Sequence, residues 1–157
     1  MKRFPERINK VVLIGCTNNT QTLTLSEKIL MKLFSPIVWP IPWKSMVKMS
    51  AKSSGETEYT HKYMEKVLED IGKKRFLEIM NSMMGKAFDD SPNYRFPFPV
   101  LLILGKKDKT GNIIKSMTNW PKKDKNGVLK TVPNAGHNAN MDSPEFVNQF
   151  ILDYLEK

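Results

Sequence analysis

Apolar positions along the chain fall into short continuous runs separated by stretches with a helical period. "KVVLIGC" is a β-branched run ending in glycine, the pattern of a buried strand with a turn after it. Behind it, "TLTLSEKILMKLF" sets Leu25, Ile29 and Leu33 at helical spacing and stops before Ser35-Pro36, where the proline disfavours further helix. Residues 35–56 carry Pro36, Pro40 and Pro42 with Trp39 and Trp43 but no sustained period, which predicts irregular chain with short helical turns. From Thr57 helical spacing returns twice. It runs first through Tyr59, Tyr63, Val67 and Ile71, then through Phe76, Met80, Met83, Met84 and Ala87, with Gly72 as the break or kink between them.

The second half of the chain repeats the strand-then-helix plan. In "FPFPVLLILGKKDKTG" the residues from Val100 to Leu104 are all apolar, which suits a strand covered on both faces of a parallel sheet. A helix over 112–120 should follow. "GVLKTVPNAGH" predicts a third strand and "SPEFVNQFILDYLEK" a closing helix. Asp142 or Ser143 would cap that helix, Pro144 would sit in its first turn, and Phe146, Val147, Phe150, Ile151 and Tyr154 would form its buried stripe. Strands alternating with helices define an α/β class with right-handed crossovers and a parallel sheet. Loops at the carboxyl ends of such strands share one edge, where ligands bind. Cys16, Asp108 and His137 each follow a strand, so the topology brings them to that edge although they are far apart in sequence.

Composition narrows the picture. A chain of 157 residues, 40% hydrophobic and 26% charged, suits one soluble globular domain with a substantial core. The net charge of +9 rests almost wholly on lysine, since the arginines are only Arg3, Arg7, Arg75 and Arg95. Guanidinium is the group that contacts phosphate in a planar, bidentate way, so this balance argues against a nucleic-acid partner. A single cysteine excludes an internal disulfide and a cysteine-based zinc site. With two histidines in unrelated segments there is no metal-ligand spacing, so neither metal nor cofactor is implied. The start "MKRFPERINKVVLIGC" mimics a lipoprotein leader, but its apolar run is shorter than the roughly 7–15 residues of a signal peptide. No run approaches the ~20 residues of a membrane span. A cytoplasmic place with no membrane partner is therefore expected.

The chemistry concentrates on Asp108 and His137. A carboxylate after one strand and a histidine after the next supply two thirds of a catalytic triad: the carboxylate fixes the imidazole tautomer, and the other ring nitrogen takes a proton from a nucleophile. Their separation of 29 residues equals one helix plus one strand. Spacing alone equally allows His137 as a turn histidine satisfied by its neighbours, and it favours Asp108 as a cap for the next helix. Cys16 could act as a thiolate nucleophile, but Thr17-Asn18-Asn19 lacks the glycine of a tight elbow, and a small residue filling a strand end is the simpler account. His61 reads as a solvated surface residue. The methionines at 80, 83 and 84 read as packing, and Lys106, Lys107 and Lys109 as a solvated loop.

"PVLLILGKKDKTG" followed by "VLKTVPNAGHNANMDSPEFVNQFILDYL" resembles the C-terminal part of the alpha/beta-hydrolase superfamily. There a G-x-x-D turn supplies the acid, an A-G-H turn the histidine, and a D-x-P-E-x-F helix closes the domain. The resemblance implies Asp108 as acid and His137 as base. "PERINKVVLIGC" then stands for the preceding strand, and residues 18–94 include a helical cap over the site. The implied fold is a partial alpha/beta-hydrolase of about three parallel strands, with residues 1–157 a single truncated domain. The implied activity is hydrolysis of a small carboxylic ester or related acyl bond. The family's nucleophile sits on a G-x-S-x-G elbow, and this sequence has none; Ser53-Ser54-Gly55 lacks the preceding glycine and strand. The missing serine would come from another polypeptide, such as a complementary N-terminal half, or from an omitted part of the gene. The alternative is a non-catalytic remnant or binding protein that self-associates. An uncovered edge of "VVLIG" would favour a homodimer.

Overall fold

The computed structural model describes residues 3–18, 20, 23–86 and 93–156. Its strands β1 (Val11–Ile14), β2 (Val100–Gly105) and β3 (Gly127–Val132) pair in parallel in the order β1-β2-β3, with Val11 opposite Val100 and Val100 opposite Gly127. Side chains of a strand alternate between faces, and β2 uses both for burial. Val100, Leu102 and Leu104 pack on one face with Ile113, Met117 and Trp120 of helix α5 (Ile113–Lys123). Leu101 and Ile103 pack on the other with Val132, Ala135, Ala139 and Val147, the last from helix α7 (Pro144–Leu155). All of β2 is therefore buried, as its uninterrupted apolar run predicts, whereas every residue of β1 is only half-buried.

Helices α1 (Leu25–Lys32), α2 (Phe34–Val38), α3 (Trp43–Ser54) and α4 (Glu58–Lys86) fill the connection from β1 to β2. A reciprocal capping box starts α1: Glu27 N–H donates to the Thr24 hydroxyl, and Thr24 N–H to the Glu27 carboxylate. The predicted stripe of α1 is present but uncovered, since Leu25, Ile29 and Leu33 are all exposed. Helix α3 occupies a stretch expected to be irregular. The prolines there precede the helix, with Pro42 at its N-cap, so they set where it begins without interrupting it, and Met46, Val47 and Ala51 are buried along it. Helix α4 bends at Gly72, whose φ of 72° and ψ of 159° are non-helical. Thr60, Leu68 and Leu77 are its buried positions, while Tyr59 and Tyr63 of the expected stripe are exposed. Trp43 packs against Phe76 in a tilted pair with ring centroids 5.6 Å apart, joining α3 to the second half of α4. Ala87 lies outside the described residues.

A four-residue helix α6 (Ala139–Asp142) precedes α7. Ser143 is the N-cap of α7 and Pro144 stands in its first turn, but no side chain caps it, and Phe146 is exposed while Val147 is buried. The Lys10 ammonium donates to the carbonyls of Tyr154 and Leu155, filling the otherwise unpaired C-terminal end of α7. Among the described residues no helix is long and apolar enough to cross a membrane.

Candidate active site

Beyond β2 and β3 the two turns are laced together before any side chain is considered. Lys106 N–H donates to the Val132 carbonyl and Lys107 N–H to the Ala135 carbonyl, both at 2.9 Å. This fixes the turn carrying Asp108 against the turn carrying His137. The Asp108 side chain is fully buried, and its two oxygens have separate duties. Oδ1 accepts from Thr110 N–H at 2.8 Å, a local turn bond typical of aspartate. Oδ2 lies 3.1 Å from Nδ1 of His137. Burial pushes the Asp108 pKa upward, but the hydrogen bonds from His137 and Thr110 outweigh it and hold the carboxyl below its ordinary value. An ionised Asp108 can only accept, so it favours the proton on Nδ1 and leaves the lone pair on Nε2.

His137 keeps 30% of its side chain exposed. Its backbone is pinned on both sides: Gly136 N–H donates to Asp142 Oδ2, and Asn138 N–H donates to the Ser54 carbonyl, each at 2.7 Å. At the end of β1, Gly15 has φ of 53°, and a Cβ there would stand 2.6 Å from the His137 carbonyl oxygen and 3.1 Å from Nδ1. Both the dihedral and the close approach require glycine. So β1 reaches the pair through Gly15. Cys16, the residue singled out there as a candidate nucleophile, packs instead against the α5-side core. Burial pushes its thiol up to about 11, which leaves it protonated and unreactive near neutrality.

Other expected residues also fall into place. The hydroxyls of Ser53 and Ser54 both turn back to the Ser50 carbonyl at the end of α3, so neither sits on a strand-to-helix elbow. His61 is half-buried rather than solvated, and its Nε2 donates to the Gly55 carbonyl at 2.9 Å. Lys109 pairs with Glu56 at 3.0 Å and Lys107 reaches the same carboxylate at 3.8 Å, so this loop meets the segment between α3 and α4. The least legible residue was Asp142. It does not cap α7; it accepts from the backbone N–H groups of Glu56, Thr57 and Gly136 and from the hydroxyls of Thr57 and Thr60. Among the described residues no cluster of three or more His, Cys, Asp or Glu is placed to hold a metal ion.

A three-stranded parallel sheet with flanking helices, and further helices inserted between its first two strands, makes up a partial alpha/beta-hydrolase fold. Solved structures bear this out. The chain is similar to a thermophilic esterase from Thermogutta terrifontis (18% identity, TM-score 0.72, 99% of this chain and 58% of that one). It is also similar to 2-hydroxy-6-oxo-6-phenylhexa-2,4-dienoate hydrolase from Rhodococcus sp. strain RHA1 (15%, TM-score 0.71, 99% and 58%). A third match is a meta-cleavage product hydrolase from Pseudomonas fluorescens IP01 (16%, TM-score 0.69, 98% and 58%). The chain thus spans about 58% of the length of these structures. A scan against protein families found no match, and neither did a comparison with curated proteins.

Proposed function

We propose that this chain carries the acid and the base of an alpha/beta-hydrolase that cleaves a carboxylic ester or related acyl bond of a small molecule. One observation carries the reading: the buried Asp108 carboxylate lies 3.1 Å from Nδ1 of a His137 ring that remains partly open to solvent. In the reaction a serine hydroxyl attacks the acyl carbon while His137 Nε2 takes its proton. His137 returns that proton to the leaving group, and the same base then activates water to release the acid. Asp108 holds the ring and balances its charge. The sequence holds no G-x-S-x-G elbow, so the serine would be supplied by another polypeptide, such as a complementary N-terminal half, or by a further part of the same gene. Residues 18–94 include the helical cap of the single domain 1–157, and that domain works in the cytoplasm.

The half-buried β1, whose outer edge pairs with no strand among the described residues, supports association on that side. The same edge would serve a non-catalytic reading in which two copies pair there as a homodimer. Hydrolysis of a short-chain nitrophenyl ester separates the two. The purified chain alone should match its His137→Ala variant at background. Mixed with a polypeptide supplying the preceding strands and serine elbow, the wild type should exceed the variant by about 10³-fold or more, the scale of losing a triad member. Equal rates for the assembled wild type and variant would refute the catalytic reading.

A further inference from the structure

The Asp142 carboxylate lies off the Asp108–His137 axis yet is the most heavily used acceptor near it. Oδ2 takes N–H bonds from Gly136 at 2.7 Å and Glu56 at 2.9 Å. Oδ1 takes Thr57 N–H and the Thr57 hydroxyl, both at 3.1 Å, and the Thr60 hydroxyl at 2.7 Å. None of these donors belongs to α7, so helix capping does not account for the residue. All five belong either to the residue just before His137 or to the junction between α3 and α4 together with the first turn of α4.

That junction also meets the histidine turn through backbone. Asn138 N–H donates to the Ser54 carbonyl. A Cβ on Gly136 would stand 2.8 Å from the Gly55 Cα, and one on Gly55 would stand 2.7 Å from Asp142 Oδ1. Two glycines therefore allow the segments to touch, and the carboxylate closes the contact with charge-assisted bonds, which are stronger than neutral ones. Burial pushes the Asp142 pKa up, but its donors, Gly136 N–H foremost, hold it below the ordinary value. The carboxylate is thus ionised near neutrality.

We infer that Asp142 is a positioning residue for His137, tying the turn that carries the histidine to the α3–α4 junction so that the imidazole keeps its angle to Asp108 only while those helices are docked. The inference rests on the reading of His137 as the base held by Asp108. It also assigns the helical insertion a second duty. A substrate that shifts α3 and α4 would move the base as well as cover the site.

The test is proton NMR of the full chain, following the low-field Nδ1–H resonance of His137, with His61→Gln used to assign the only other histidine. Wild type should show the resonance; its absence would overturn the reading of His137, and this inference with it. Asp142→Asn should lose the resonance while the chain remains folded, because the amide presents N–H groups to N–H donors. A Thr57→Val/Thr60→Val double variant keeps the Gly136 bond, removes both hydroxyl donors to Asp142 and with them the Thr57 acceptor of Thr60 N–H, and it should shift the resonance upfield. Val147→Ala weakens the core on the α7 side without touching the junction and should leave the resonance in place. An unchanged resonance in folded Asp142→Asn would overturn the proposal. If that variant fails to fold, an unchanged resonance in the double variant would do so. A Val147→Ala shift as large as that of the junction variants would equally overturn it, by showing that general destabilisation is enough.

Discussion

The link from β2 to β3 passes through a single helix whose Ile113, Met117 and Trp120 are buried against the sheet, whereas the described residues of the link from β1 to β2 form four helices, the first of which leaves Leu25, Ile29 and Leu30 exposed. Helical spacing is legible in the shorter link and, outside residues 35–56, in the longer one. The difference lies in what stands opposite. The shorter link has the face of β2 across from it and forms a closed unit. The longer link meets the rest of the molecule at a few turns, chiefly where Ser54 to Thr60 touch the His137 turn. Periodicity reports that a helix has two faces; only a partner surface decides whether the apolar one is buried.

This contrast makes the two links respond differently to truncation. Met117→Ala removes a fully buried side chain between α5 and the sheet and should cost about 2–5 kcal/mol in urea unfolding, the usual range for opening a cavity of that size. Leu30→Ala removes a side chain that is 64% exposed and should stay within about 0.5 kcal/mol. Similar losses at both positions would break the comparison by showing that the α1 face is covered in solution.

A smaller effect sharpens it from the side of charge. Asp108 and Asp142 both have folded pKa values below the ordinary one, so between the folded and unfolded values the unfolded chain binds more protons. Each contribution is full above the unfolded pKa of about 3.9 and is lost as pH falls through the lower folded value. Asp108→Asn should therefore flatten the decline in stability below about pH 4, measured by urea midpoints at a series of pH values. Met117→Ala should lower the whole curve and keep its acid slope. An acid slope in Asp108→Asn equal to that of wild type would show that the buried carboxylate does not carry this dependence.

Much of the sheet was legible because its signals are local. Five apolar residues in a row gave the doubly covered β2, and glycine and proline punctuation marked where the strands turn. The Asp108–His137 meeting was legible as spacing plus topology, since two successive parallel strands must end side by side. Helix α3 was obscured because Pro36, Pro40 and Pro42 lie just ahead of it, and proline marks a helix start as readily as a break. The role of Asp142 was hidden more deeply. Its place beside Ser143-Pro144 has the local appearance of a cap, and its partners Glu56, Thr57 and Thr60 stand 82 to 86 residues earlier. Likewise, Gly15 rather than Cys16 is the residue following β1 that approaches the pair, a distinction of one position that depends on backbone direction at the strand end.

The central claim is that Asp108 fixes His137 with its proton on Nδ1 and a lone pair on Nε2. Nitrogen-15 NMR of the imidazole at a pH where the ring is neutral reads this directly. The account predicts the Nδ1–H tautomer in wild type and its loss in Asp108→Ala. A neutral His137 found mainly as the Nε2–H tautomer, unchanged by Asp108→Ala, would contradict it.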